Sequence, residues 1–77
     1  MHVTLRLYAV LRDAAGSETL SVDVPIGATA RDAFLQTSFG SEWADTVAFA
    51  LNDAMIHPSR TLEPNDVIDC LPPVSGG

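Results

Sequence analysis

Strict two-residue alternation is the feature that most constrains this chain. In "HVTLRLYA" (residues 2–9) Val3, Leu5 and Leu7 point one way and Thr4, Arg6 and Tyr8 the other. In "ETLSVDV" (18–24) Leu20, Val22 and Val24 alternate with Ser21 and Asp23. Side chains on a strand point to opposite faces in turn, so each stretch reads as a strand with one buried face. "VLRDAAGS" between them reads as a short helical turn closed by Gly16, which makes the two strands an antiparallel hairpin with a long loop.

The period then changes. After "PIGAT", Thr29 is a good N-cap and Asp32, three residues on, suits the positive end of a helix dipole. Ala30, Ala33, Phe34 and Thr37 recur at helical spacing, which predicts a helix over about residues 30–38 closed by Gly40. "SEWADT" reads as a connector with Trp43 packing at its edge. "TVAFALN" returns to alternation, with Val47, Phe49 and Leu51 set against Ala48 and Ala50. Asn52-Asp53 is a turn pair, "AMIH" a short fourth strand, and Glu63-Pro64-Asn65-Asp66 a bend before the last strand, "VIDCL". Pro72 and Pro73 end that strand because neither can donate a ladder hydrogen bond.

The order strand, strand, helix, strand, short strand, strand predicts an α+β fold of the β-grasp kind, a mixed sheet with one main helix packed on one face. First and last strands become parallel neighbours. The other sheet face lacks an obvious cover; Tyr8, Ala48, Ala50 and alternate residues of 67–71, of either parity, lie on it and make it a candidate partner surface. The division expected is a β-grasp domain at 1–71 and an extended tail at 72–77.

Composition narrows the function. The 77 residues suffice for one small core. Ten acidic residues against four arginines and no lysine give a net charge of -6, so nucleic acid, which needs a basic footprint, is not an expected partner. A basic protein surface suits that charge, and plain solubility accounts for it as well. No stretch is long and apolar enough to span a membrane and the N-terminus lacks a signal-peptide pattern, so a soluble cytoplasmic chain is expected. Cys70 is the single cysteine. Burial and the neighbouring Asp69 both disfavour its thiolate, which predicts an inert core thiol. His2 and His57 have no metal-ligand spacing around them, so no metal site is expected. His57 and Ser59 read as turn chemistry rather than as a dyad.

That leaves the ending "LPPVSGG". Pro72-Pro73 favours polyproline II and carries the chain away from the sheet. Val74 offers one apolar contact, and Ser75, Gly76 and Gly77 are slim enough to enter a channel that larger side chains would block. Six residues reach roughly 20 Å at ~3.3 Å each. The terminal carboxylate is a poor electrophile, but an acyl-adenylate of it has a good leaving group, and a sulfur nucleophile converts that into a thiocarboxylate.

These residues carry a resemblance. "AVLRDAAG" at 9–16, "ALNDAMI" at 50–56, "LEPNDVI" at 62–68 and above all "LPPVSGG" resemble the small subunit of molybdopterin synthase, a ubiquitin-like sulfur carrier. The internal matches are individually weak; the Pro-Pro-Val portion of the ending separates this branch from relatives that share only Gly-Gly. The resemblance implies that an E1-like adenylyltransferase uses ATP to activate Gly77 and that a sulfurtransferase supplies sulfur. It implies that the tail then enters the large synthase subunit, with Gly76 giving backbone passage and Pro72, Pro73, Val74 and Ser75 lining the path. Sulfur passes there to cyclic pyranopterin monophosphate in a heterotetramer. The chain itself binds no cofactor and holds no catalytic residue in this picture. Arg12 falls where that family often has an arginine, which implies a partner contact; a solvated salt bridge accounts for it equally. "DCL" at 69–71 departs from the aromatics that relatives often show. A carrier for thiazole synthesis or tRNA thiolation, a modifier joined to lysines, and a passive β-grasp interaction module are the alternatives.

Overall fold

The computed structural model describes residues 1–73. Its strands are β1 (His2–Leu7), β2 (Thr19–Asp23), β3 (Ala48–Leu51), β4 (Ala54–Ile56) and β5 (Val67–Leu71), and its helices α1 (Val10–Ala15), α2 (Ala30–Leu35) and α3 (Gly40–Trp43). One sheet of order β2-β1-β5-β3-β4 contains all five strands. β1 is antiparallel to β2 and parallel to β5, while β3 is antiparallel to both β4 and β5. This is the expected β-grasp arrangement, with first and last strands side by side at its centre.

Local chemistry places each turn. Gly16 takes the left-handed conformation (φ 71°) and its N–H donates to the Arg12 carbonyl at 2.9 Å, closing α1. Asn52 and Asp53 both have positive φ, as a two-residue hairpin turn between right-twisting strands requires. At the bend, the Glu63 N–H donates to Asp66 Oδ2 at 2.8 Å. α2 opens on a full capping box: the Asp32 N–H donates to Thr29 Oγ1 and the Thr29 N–H to Asp32 Oδ2.

The helix end departs from the sequence reading. α2 stops at Leu35 rather than near 38, and the Thr37 hydroxyl donates to the Phe34 carbonyl at 2.8 Å, taking up one orphan acceptor there. Gly40 does not close α2 but begins α3, so "SEWADT" is partly helical. Gly40 is needed for packing: a Cβ on it would lie 2.3 Å from the Phe34 carbonyl oxygen. Arg31 joins the two helices, its Nη1 donating to the Ala44 carbonyl and pairing with Asp45, each at 3.0 Å.

The core lies between the sheet and these helices. Val3, Leu5 and Leu7 of β1, Phe49 of β3, and Ile68 and Cys70 of β5 meet Leu11, Ala30, Ala33 and Phe34 there, all buried. Phe34 is the hub, with Phe39 and Phe49 each edge-on to it at 5.7 Å between ring centroids. Trp43 is half-buried and packs against this cluster, at the edge as expected.

Candidate docking face and tail exit

Since Ile68 and Cys70 face the core, the opposite parity of β5 (Val67, Asp69 and Leu71) faces away from the helices, settling what the sequence left open. Register builds this face row by row. The middle row runs Thr19, Arg6, Asp69, Ala50, Met55 across β2, β1, β5, β3 and β4. One row toward the tail, Leu71 pairs with Ala48. Tyr8, Met55 and Val67 are exposed apolar or aromatic residues on this face. The small Ala48, half-buried, and Ala50, buried, lie beside Met55 on this face.

Asp69 is the exception within that surface. It is only 8% exposed although no helix covers it. Arg6 grips it side-on, with Nε donating to Oδ1 at 2.5 Å and Nη2 to Oδ2 at 3.0 Å. The Tyr8 hydroxyl donates to Oδ1 at 3.1 Å. Three donors to one carboxylate satisfy it in a place where a lone charge would be costly. The same contacts act on the donors: the bond to Asp69 and its charge hold the Arg6 guanidinium pKa above its ordinary value. Partial burial first, and then the Asp69 carboxylate, push the Tyr8 phenol up.

Behind Asp69, on the core side, Cys70 is fully buried. Burial, and secondly the Asp69 charge, push its thiol up to about 12, so it stays a neutral thiol at physiological pH and behaves as a small core residue. Across the molecule, His57 Nδ1 accepts from the Ser59 hydroxyl (2.6 Å) and from the Ser59 N–H (3.1 Å), which closes a turn and leaves that pair occupied with itself. Among the described residues no group of three or more His, Cys, Asp or Glu is placed to hold a metal ion.

Of the residues singled out for the tail, Pro72 is half-buried and Pro73 exposed; Val74, Ser75, Gly76 and Gly77 lie outside the described residues. β5 ends at Leu71 on the open face, so the tail begins at the edge of that face. Arg12 is exposed on α1 and lines a hollow of about 190 Å³ together with Arg6, Tyr8, Glu18 and Thr19. No side-chain bond of Arg12 is found among the described residues that would make it the salt bridge of the alternative reading. Sequence reasoning missed the Arg6–Asp69–Tyr8 cluster. The available signal was a charge inside the apolar run "VIDCL", matched by an arginine at an outward position of β1.

Comparison with known proteins agrees with this architecture. The ThiS family matches residues 5–77. The crystal structure of SAMP1 from Haloferax volcanii superposes with a TM-score of 0.77 at 29% identity, covering 100% of both chains. The solution structure of small archaeal modifier protein 1 from Methanosarcina acetivorans gives 0.72 at 25% identity, covering 99% of this chain and 96% of that one. A chain in the complex of subunits 1 and 2 of molybdopterin-converting factor from Helicobacter pylori gives 0.65 at 27% identity over 100% of both. No curated protein matches this chain in sequence. The family match spans β1 to β5 and beyond, and the chain belongs to the ThiS family, with the fold of the ubiquitin-like sulfur carriers and modifiers.

Proposed function

We propose that this chain is the sulfur-carrying small subunit of a molybdopterin synthase. The observation that carries the reading is the ending "LPPVSGG" on a ThiS-family body, beginning where β5 leaves the open sheet face. An oxygen of the Gly77 carboxylate attacks the α-phosphorus of ATP on an E1-like partner, and pyrophosphate leaves. Sulfide-level sulfur, delivered as hydrosulfide by a sulfurtransferase, then attacks the acyl carbon, the acyl C–O bond to phosphate breaks and AMP leaves with that oxygen, giving the thiocarboxylate. The tail enters the large subunit, where sulfur passes to cyclic pyranopterin monophosphate. Gly76 permits close backbone passage, Pro72 to Ser75 occupy the entry path, and Arg12 contacts the partner beside the tail. ATP and the catalytic side chains belong to the partners; the absence of lysine here accords with that division. A complex of the two subunits of molybdopterin-converting factor from Helicobacter pylori, one chain of which shares this fold, supports a large-subunit partner.

The test is reconstitution. The thiocarboxylated chain, mixed with the large subunit from its own host, is expected to convert the pterin precursor. Gly77→Val is expected to abolish loading, read by intact mass as loss of the oxygen-to-sulfur exchange, with melting unchanged because the core described runs from Val3 to Cys70. Failure of conversion by a loaded chain that does supply sulfur to thiazole synthesis or tRNA thiolation would move the function there. A second reading, a modifier attached to lysines, draws support from the likeness to small archaeal modifier protein 1 at 29% identity; covalent adducts on host proteins through Gly77 would establish it. Activity that survives deletion of Gly76 and Gly77 would leave only a passive interaction module.

A further inference from the structure

We propose that Arg6, Asp69 and Tyr8 form the partner-selecting element of the open face: they admit a protein surface that sets a neutral hydrogen-bond acceptor, a backbone carbonyl or side-chain amide oxygen, against Arg6 within an apolar frame. The inference rests on the carrier reading, since the protein concerned is the large subunit that receives the tail. Position gives the first reason. Asp69 stands three residues before Pro72 on one strand, roughly 10 Å of chain, so a protein that holds the tail at its exit lies over this cluster. Met55, Val67 and Leu71, with Ala48 and Ala50 between them, supply the apolar frame around it.

Donor inventory gives the second reason. A guanidinium carries five N–H groups. Asp69 takes the Nε–H and one on Nη2, which among the described residues leaves three for water or for a partner, on a side chain that is still 47% exposed. A wholly apolar surface laid over Arg6 strips those donors of water and returns nothing, a penalty that a site with a matching oxygen avoids. Charge gives the third reason, and it decides the kind of acceptor. Asp69 already neutralises Arg6, and Glu18 lines the same hollow as Arg12. The Asp53 carboxylate also lies within electrostatic reach of Arg6 and Tyr8, so the neighbourhood has no surplus positive charge within a chain of net charge -6 and favours a dipole over a further carboxylate. Asp69 holds the guanidinium in place and Tyr8 fixes the carboxylate. Arg6 is the group that touches the partner.

The experiment measures, by calorimetry on the full chain, affinity for the adenylating enzyme and the large subunit of its own host. A large subunit whose own carrier has apolar residues at both positions serves as the mismatched partner. The double substitution Arg6→Leu with Asp69→Ala removes the pair together and leaves no stranded charge. It is expected to weaken binding to the host's large subunit about tenfold or more and to strengthen binding to the mismatched one. Arg6→Gln, which keeps N–H donors without charge, is expected to stay within a few-fold of the parent; it also keeps the test alive if the double variant melts below the assay temperature. A double variant that binds both large subunits as the parent does overturns the inference. A loss with Arg6→Gln as large as with the double substitution overturns the neutral acceptor in favour of a carboxylate. A parent chain that binds neither host enzyme overturns the carrier reading itself, which the variants alone do not do.

Discussion

The two faces of the sheet are built from the same strands, offset by one residue, and they have opposite designs. On the helix side, Leu5, Phe49, Ile68 and Cys70 are fully buried and apolar, closed over by Phe34 and Leu11. Next to them in sequence, Arg6, Ala50 and Asp69 form a row that joins an ion pair to a small residue on the face no helix covers. The helix side is complete within the chain. The other side is satisfied in its charges but not in its apolar area, so stability and docking are separable functions of alternate residues.

The largest effect that tests this separation is Phe49→Ala. Its ring is fully buried and edge-on to Phe34, so truncation is expected to cost about 3–5 kcal/mol through lost contacts and a residual cavity. In a domain of this size that lowers the melting temperature by at least ~12 °C, measurable by calorimetry or urea titration. A cost below ~1 kcal/mol would mean that the helix side does not carry the fold.

Cys70 gives the next effect and locates the same division within one strand. Its thiol is pushed up to about 12 in the fold, against an ordinary value of about 8.5–9 in the unfolded chain. Above that ordinary value the unfolded state loses the proton while the native state keeps it, so stability falls as pH rises from about 9 toward 12, by up to about 4 kcal/mol in all. Cys70→Ala is expected to flatten this part of the alkaline stability curve relative to the parent, which isolates it from Tyr8 titrating in the same range. Thiol labelling of the native protein is expected to track global unfolding; labelling faster than unfolding would place Cys70 outside the core.

How much of this was legible beforehand follows from where each signal resides. Alternation in β1 and β2, the capping residues of α2 and the Asn52-Asp53 turn are local, and they read correctly. The parity of β5 was not legible because "VIDCL" has apolar residues at both parities, so only pairing with β1 decides which ones face the core. Gly40 looked like a helix stop because glycine often is one; its actual constraint is the approach of the Phe34 carbonyl, a contact between two helices. Arg6 and Asp69 meet across 63 positions of sequence, and no periodicity reaches that far. The tail was the opposite case. The chemistry proposed for it rests on residue types alone, without any need of packing.

The smallest stability effect is the sharpest test of the open face. Met55 is 64% exposed and sits opposite Ala50 on the edge strand β4. Met55→Ala removes little that the fold itself buries, so its stability change is expected within about 0.5 kcal/mol. Its flexible thioether is suited to filling an irregular partner surface, and truncation is expected to weaken binding to the large subunit roughly tenfold, about 1.4 kcal/mol. Ile26 is the control. It is more exposed, at 79%, but lies in the turn leading to α2, so Ile26→Ser is expected to leave that affinity unchanged. Exposure and hydrophobicity would rank Ile26 first; position on the face ranks Met55 first. Equal losses in the two variants would show that the partner reads apolar exposure wherever it occurs, and the distinction between the faces would then concern folding alone.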